Sequence, residues 1–370
     1  MRKRRRHVKN RKVIFTLLAV ILPLITAGGI KAVPVLAELA ESIDVFSGSY
    51  DEPLYYTGEQ GENIFFFEED AEDIISEGYG WTAEVEEKDD SDKGAKPYPE
   101  KWKVSEKNTV YKNTFEHYSG FRFFSLETKG QVKNLTDISN GTLLKESKLL
   151  PEFTIEKNGE PEVLIMHTHT TESFEPYVRD CFDPSFNYRT TDENYNVVSV
   201  GEKICEGLEA AGIGYIHDKT IHDYPSYNGS YERSAVTVKK ILEENPSIKV
   251  VLDIHRDAIG TSESIMQPVV EIDGKEAAQI MIISGCDDGT MNMPDYMHNF
   301  RFASLLQQQL ASDYDSLARP ILFDYRKYNQ DLTTGSLLIE MGSHGNTIEQ
   351  VEYAGELFGR SLARALLSIS

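Results

Sequence analysis

Three apolar runs between residues 163 and 340 are each followed by a histidine or a glutamate, and this repeated pattern restricts the fold more than any other feature. The runs are Val163–Met166, followed by His167 and His169, Val250–Ile254, followed by His255, and Leu337–Ile339, followed by Glu340. Short, nearly continuous apolar runs are typical of strands buried on both faces, as in parallel sheets. Because the carboxyl ends of parallel strands meet at one edge, we expect these polar side chains to converge there.

Helical patterns alternate with the predicted strands from Pro161 onward. Apolar residues recur at helical spacing in segments 194–211, 230–245, 295–313 and 347–366. Ser230 and Thr347 stand where helix N-caps are expected. Short strands are predicted at 214–217 and 321–323, and a hairpin across 267–284 turns at Asp273-Gly274. This alternation predicts an α/β fold, with a mainly parallel or mixed sheet flanked by helices.

The amino-terminal segment predicts a membrane anchor. Residues 1–12 contain eight Lys or Arg and form a basic tail, and residues 13–33 are almost entirely apolar. An apolar stretch of about 18 residues is long enough to span a bilayer, and the basic tail predicts that the chain after it lies outside the cytoplasm. A cleaved signal peptide is the alternative, because Ala27, Gly28 and Gly29 follow the apolar core. Either interpretation exports the rest of the chain.

Charge separates the regions that follow. Residues 51–100 hold seventeen Asp or Glu against three Lys, which predicts that 34–108 is an acidic, flexible linker. Residues 109–160 form a lead-in segment, either packed on the main domain or a small subdomain, and 161–370 form the catalytic domain. The net charge of -22 argues against nucleic acid as a partner. The three cysteines have no CxxC spacing and encode no disulfide framework.

The polar strand ends have the composition of a metal site. His169 and Glu172 can turn inward from one loop, and imidazole and carboxylate ligands without thiolate indicate catalytic zinc. A carboxylate outside the ligand set is then needed to move protons, and Glu340 is the candidate. The alternatives are capped strand ends with solvent-facing histidines and, for Glu340, an ion pair with Arg256 or Arg326.

Several ordered motifs resemble the stage II sporulation protein P family. They are His167-Thr-His-Thr-Thr-Glu172, the tract 195–201, the segment 217–233, Asp253-Ile-His-Arg-Asp-Ala258 and Glu340-Met-Gly342. The resemblance covers about 109–370 and implies a membrane-anchored zinc amidase that acts on peptidoglycan during engulfment in sporulation. It also implies two partners, a lytic transglycosylase and a membrane protein that recruits the enzyme.

The resemblance assigns roles by position. It implies that His169 and His255 bind zinc and that Glu340 is catalytic, and it places Asn194 where the wider group of zinc N-acetylmuramoyl-L-alanine amidases has a helix-start Glu ligand. Asn is a poor zinc ligand, so Glu172 is the choice for the third ligand, with His167, Glu193 and Asn194 as alternatives. Residues expected to bind substrate or support the ligands are His167, Asn194, Arg256, Asp257, Tyr231 and Arg233.

The amino-terminal segment predicts a single-pass protein of the cell membrane, and the resemblance implies that its outer domain cleaves the amide between N-acetylmuramic acid and L-alanine. A zinc endopeptidase or carboxypeptidase that acts on stem peptides is one alternative, because both chemistries use the same ligands and base. A cell-wall-binding scaffold without turnover is the other.

Overall fold

The computed structural model describes residues 56–57, 63–64, 95–103, 106–116 and 118–370. The predicted basic tail, membrane anchor and most of the acidic linker lie outside these residues. The helices are α1 Asn140–Glu146, α2 Val197–Ala211, α3 Ser230–Glu244, α4 Tyr296–Asp313 and α5 Ile348–Leu367. The strands are β1 Tyr56–Thr57, β2 Asn63–Ile64, β3 Thr109–Asn113, β4 Phe123–Ser125, β5 Gln131–Asn134, β6 Pro161–Met166, β7 Gly214–His217, β8 Val250–Asp257, β9 Ser264–Ile272, β10 Lys275–Ala278, β11 Ile280–Gly285, β12 Ile321–Asp324 and β13 Gly335–Ser343. Within the described part of the chain, no helix combines the length and the apolar character that crossing a bilayer requires.

An eight-stranded sheet in the order β4-β5-β12-β11-β13-β8-β6-β7 forms the centre of the fold. Strands β13, β8, β6 and β7 run parallel to one another, whereas β11 is antiparallel to β13 and β4 is antiparallel to β5. The predicted α/β class, with a mainly parallel sheet flanked by helices, is therefore confirmed. Because β6, β8 and β13 are mutually parallel, their carboxyl ends lie at the same edge of the sheet.

Side chains alternate between two faces of this sheet. Val250, Leu252 and Ile254 of β8 point into the main hydrophobic core, which α2, α4 and α5 cover; we call this the core face. The opposite face, the site face, carries Val251, which packs with β6 residues and α3 in a separate apolar cluster. His255 stands four residues after Val251 in β8, and side chains an even number of residues apart in a strand lie on the same face. His255 therefore lies on the site face.

Local capping explains where the helices begin. The Thr347 side chain accepts a hydrogen bond from Gln350 N, and the Gln350 side chain accepts one from Thr347 N. This capping box satisfies backbone N–H groups at the start of α5. Helix α2 begins later than predicted, because the Asn196 side chain accepts from Val198 N and caps it there. The predicted Ser230 cap is wrong: the N-cap position of α3 is Gly229, and Ser230 is already helical.

The lead-in region contributes strands to both larger sheets. β3 pairs with β9 in a three-stranded sheet that also contains the hairpin partner β10, and the hairpin turns at Asp273-Gly274 as predicted. β5 pairs with β12 in the main sheet. Strands of this lead-in segment are thus hydrogen-bonded to strands of the catalytic region.

Residues 95–103, which composition assigns to the flexible linker, pack against the catalytic region. The Tyr98 ring stacks on Tyr195 with centroids 4.2 Å apart, and its hydroxyl donates to the Phe174 carbonyl at 2.9 Å. The Lys96 backbone also exchanges hydrogen bonds with Thr191. The packing of the Tyr98 ring and these backbone hydrogen bonds hold residues 95–103 against the catalytic region, although the sequence around them is rich in charged residues.

Helices α2 and α5 touch through glycines, which gives a testable expectation. A Cβ added at Gly207 would lie 2.5 Å from the Gly359 backbone carbon, so Gly207→Ala should lower the free energy of unfolding by about 1–3 kcal/mol through overpacking. Urea denaturation measures this. Gly141→Ala is the control, because its nearest contact is 3.9 Å away. A Gly207→Ala protein as stable as the wild type would contradict the close approach.

Candidate active site

The predicted polar residues gather on the site face, at the carboxyl edge of the parallel strands. β6 ends at Met166, and the chain turns so that Glu172 N donates to the His169 carbonyl at 3.0 Å. In the parallel pairing of β8 and β13, His255 lies directly beside Glu340. The short turn after β6 and the strand register together bring groups that are far apart in sequence to one place.

His169, His255 and Glu172 are in contact. The two imidazole rings meet edge to face with centroids 5.1 Å apart, and His255 Nδ1 lies 3.6 Å from Glu172 Oε2. All three side chains are buried. The arrangement brings together the three residues predicted to bind a metal.

Carboxylates surround His255 on several sides. Burial alone would lower the pKa of this imidazole, but Asp253, Glu172 and Glu340 outweigh burial and raise the pKa to about 10. The carboxylates therefore stabilise a protonated His255, which must release this proton before it can bind a metal.

His169 has the opposite character. Burial, and then the neighbouring His255 and Arg189, hold the pKa of His169 well below its usual range, so the ring is neutral. A neutral imidazole is the form in which histidine binds a metal.

Asp253 is a member of the site that we did not predict. Its Oδ1 lies 2.9 Å from His255 Nε2 and also accepts from Thr168 N at 2.8 Å, and its Oδ2 accepts from the Thr168 hydroxyl. A carboxylate that holds one imidazole nitrogen leaves the other, here Nδ1 beside Glu172, to face a metal. The alternation of β8 is the sequence signal for Asp253, because it stands two residues before His255.

The donor set suits a divalent cation: two imidazoles, one of them neutral, and a carboxylate, with further carboxylates behind them. Within residues 95–103, 106–116 and 118–370, no three His, Cys, Asp or Glu side chains are already placed as a finished metal site. Both ring nitrogens of His169 have a hydroxyl neighbour: Tyr227 Oη lies 3.2 Å from Nε2, and Ser230 Oγ lies 3.4 Å from Nδ1. Binding a metal requires one of these two hydroxyls to give way.

Glu172 is oriented from two sides. Its Oε2 accepts from Arg256 N at 3.0 Å, and its Oε1 lies 3.7 Å from the Arg189 guanidinium. Arg256 therefore acts on Glu172 through its backbone, while its guanidinium donates to the Tyr188 carbonyl at 3.3 Å. Sequence reasoning did not find Arg189, which reaches the cluster from a loop.

Two predicted site residues lie elsewhere. His167 turns toward α2: its Nδ1 is 3.1 Å from the Ile254 carbonyl, and its Nε2 is 2.9 Å from His217 Nε2. Asn194 is exposed, and its amide donates to Asp192 at 2.8 Å. Since α2 begins only at Val197, the helix start does not bring Asn194 to the cluster.

The other predicted residues differ in their distance from the cluster. Tyr231 is buried against it, edge to face with His169 and parallel to His255. The Arg233 guanidinium donates to three backbone carbonyls of the loop that precedes α3 instead of lining a groove. Asp257 forms a partly buried ion pair with Arg319 at 2.8 Å.

A half-buried histidine next to the site should make the fold sensitive to acid. Burial, and then Arg256, lower the pKa of His344 from an ordinary 6.5 to about 3. Between these values the unfolded chain binds the extra proton, so stability falls as pH falls, by up to about 1.4 kcal/mol per pH unit. His344→Gln should flatten this slope in urea denaturation measured from neutral to acid pH. His298→Gln, on the partly exposed face of α4, is the control, and an unchanged slope in His344→Gln would contradict the assignment.

This fold and this cluster define an α/β protein with a histidine–carboxylate site at the carboxyl ends of parallel strands. The family model for stage II sporulation protein P matches residues 61–363. The chain therefore belongs to the stage II sporulation protein P family, and the resemblance in its motifs is confirmed.

Comparison with known proteins gives one curated relative and several solved structures. Stage II sporulation protein P of Bacillus subtilis (strain 168) is 30% identical over 205 residues, which cover 52% of this chain and 48% of the relative. The chain thus matches about half the length of that relative. An N-acetylmuramoyl-L-alanine amidase from Clostridium difficile 630 has a TM-score of 0.35 at 16% identity and covers 57% of this chain and 97% of its own. A metallo-carboxypeptidase from Burkholderia cenocepacia has a TM-score of 0.35 at 8% identity, and the match covers 65% of this chain and 71% of the carboxypeptidase. The family assignment rests on the sequence match.

Proposed function

We propose that this chain is a zinc-dependent peptidoglycan hydrolase that cleaves the amide between N-acetylmuramic acid and L-alanine. The observation that carries the proposal is the convergence of His169, His255 and Glu172 with Glu340 at one edge of the sheet. Membership of the stage II sporulation protein P family supports cell-wall hydrolysis in sporulation as the setting.

His169, His255 and Glu172 would hold the zinc ion. When bound, zinc polarises the scissile carbonyl and makes water a nucleophile near neutral pH. Asp253 lies 2.9 Å from His255 Nε2 as an ion pair, and the Arg256 backbone donates a hydrogen bond to Glu172, so two of the three ligands have a polar neighbour that orients them. Such support keeps ligands in position before substrate arrives.

Glu340 is the proton carrier. It stands beside His255 in the strand register and contributes to the charge around that ring, so it is close to the ligands without belonging to the proposed set. In our mechanism it takes the proton from the attacking water and passes it to the leaving nitrogen of L-alanine.

We further propose that the chain is anchored in the cell membrane with this domain outside the cytoplasm. The basic residues 1–12 and the apolar residues 13–33 support this. Family membership is the support for two partners, a lytic transglycosylase and a membrane recruiting protein.

One experiment separates the candidate activities. The full chain in detergent is incubated with purified peptidoglycan, with and without a chelator, and the released fragments are identified by mass. Free stem peptides that disappear with chelator are the expected result. Trimmed or uncrosslinked muropeptides with intact lactyl amides would indicate a peptidase, and wall binding without release would indicate a scaffold.

A further inference from the structure

Arg256 is a buried cation at the edge of the site, and its guanidinium forms no salt bridge with a carboxylate of the described residues. The residue is 6% exposed. Its guanidinium makes two long contacts, 3.3 Å to the Tyr188 carbonyl and 3.4 Å to the Asp257 carbonyl, and its Nε has no hydrogen-bond partner in that part of the chain. A buried charge without a counter-charge is destabilising, so this position is electrostatically suited to an anionic ligand.

Two other buried arginines of this region have the counter-charge that Arg256 lacks. Arg189 pairs with Asp223 at 2.9 Å, and Arg319 pairs with Asp257 at 2.8 Å. A guanidinium that serves only to hold this fold together is thus buried together with a carboxylate. Arg256 remains for a carboxylate that the described residues do not supply.

His344 offers a second nitrogen for the same anion. Its Nδ1 is buried and makes no hydrogen bond to the residues that the structure describes. Its ring meets the Tyr188 ring edge to face with centroids 5.0 Å apart, so Tyr188 touches both His344 and Arg256. Burial, and then the Arg256 charge, lower the pKa of His344 to about 3, so the ring is neutral and has one N–H to donate. The residue is partly exposed, which leaves this side of Arg256 open to a ligand.

The backbone of Tyr188 is strained in a way that supports this arrangement. Its φ of 52° lies in the left-handed region, which an aromatic residue rarely adopts. In this conformation its carbonyl accepts from Ser173 N at 2.8 Å as well as from Arg256, and its hydroxyl donates to the buried Glu175 at 2.6 Å. Strain that several contacts maintain is typical of binding sites.

The position of Arg256 relative to the cluster is fixed. It follows His255 in β8, and successive side chains of a strand point to opposite faces, so its side chain lies across the end of β8 from the His255 ring. The Arg256 N–H donates to Glu172 at 3.0 Å, which ties its backbone to the cluster. A peptide with its scissile amide at the cluster that continues over this strand end brings its next polar groups to Arg256.

We propose that Arg256, together with His344, forms a subsite for a carboxylate of the stem peptide. The inference rests on the proposed function and names the part of the substrate that this edge of the site recognises. A guanidinium donates two parallel N–H groups to a carboxylate, and such charge-assisted bonds are stronger than its present long contacts with neutral carbonyls. The stem peptide carries carboxylates beyond its first L-alanine, so a ligand of the required charge follows the scissile amide directly.

The subsite predicts a preference for the free acid that does not depend on turnover. Calorimetric titration of the full chain in detergent, with a chelator present to prevent hydrolysis, compares N-acetylmuramoyl-L-alanyl-D-glutamate with its diamide. The wild-type chain should bind the acid about 10- to 100-fold more tightly, as hydrogen bonds to a charged group provide. In Arg256→Met the two affinities should agree within about threefold, and the affinity for the diamide should not change.

Two further measurements separate ligand binding from a structural role. Arg256→Met keeps the backbone N–H that holds Glu172 and loses no ion pair, so it should unfold at a urea concentration no lower than the wild type. Arg256→Lys keeps the charge but not the planar pair of N–H groups, and it should bind the acid at least about threefold more weakly than the wild type. Arg360→Met is the matched control, because that side chain is 54% exposed on α5, and it should keep the wild-type preference.

Equal affinity of the wild-type chain for the acid and the diamide, or no binding of either, overturns the proposal. An Arg256→Met protein that keeps the wild-type preference also overturns it. If Arg256→Met does not fold, Arg256→Lys decides, and wild-type affinity for the acid in that variant counts against the subsite. A wild-type chain that prefers the acid but releases nothing from peptidoglycan would refute the proposed hydrolase and leave the carboxylate subsite in place.

Discussion

Glu340→Gln should lower kcat for peptidoglycan hydrolysis by about 10²- to 10⁴-fold, the usual contribution of a positioned acid–base group. Gln has the shape of Glu but cannot take a proton from water. Because Glu340 is outside the proposed ligand set, zinc affinity should stay within about threefold of wild type. Loss of a residue that hydrogen-bonds a metal ligand would weaken binding more, by roughly 10- to 100-fold. Release of stem peptides measures kcat, and chelator competition measures affinity.

The matched control is Glu349→Gln, an exposed carboxylate in the first turn of α5. It makes the same chemical change nine positions further along the chain and should keep full activity. A Glu340→Gln protein that binds zinc and keeps wild-type turnover would remove Glu340 from the mechanism.

Glu172→Gln should weaken zinc binding by more than the roughly 10- to 100-fold that losing an outer partner costs. The neutral amide can still accept the hydrogen bond from Arg256 N, so the loop should keep its shape while the ligand charge is lost. Activity measured without added zinc should fall with the affinity. Competition with a chelator for zinc, started from the zinc-free full chain, gives the dissociation constant.

Asn194→Ala is the matched comparison, since Asn194 is the position that the wider amidase pattern assigns to the third ligand. It is exposed and bonded to Asp192, so its loss should leave zinc affinity unchanged. If Asn194→Ala binds zinc weakly and Glu172→Gln binds it with wild-type affinity, the loop before α2 must rearrange to supply the ligand.

Glu172 also shows how the site depends on segments outside the strands. Its loop neighbour Phe174 accepts a hydrogen bond from Tyr98, which belongs to residues 95–103. The chain that leads into the domain therefore contacts the same loop that carries a proposed ligand. Truncations that remove residues 95–103 change the support of this loop, which is a reason to test the full chain.

Much of the fold could be predicted from sequence, because the signals are local. Apolar runs marked β6, β8 and β13, and Thr347 marked the start of α5. Parallel strands share an edge, so the sequence also predicted that His169, His255 and Glu340 would lie at one place. That inference needed only strand direction and no knowledge of side-chain contacts.

Other features needed the tertiary structure. His167 and His169 follow the end of β6, where the regular alternation of side chains stops. The sequence therefore could not predict that His167 faces α2 and His217 while His169 faces His255. The approach of Arg189 and Tyr227 depends on how two loops pack against each other, and no spacing rule relates residues on separate loops. The sequence by itself determined the sheet edge at which the site forms and the side chains that reach it from the strands. Only the tertiary structure decided which nitrogen and oxygen atoms meet there, because those contacts are set by long-range packing and not by the local hydrogen bonds that form strands and helices.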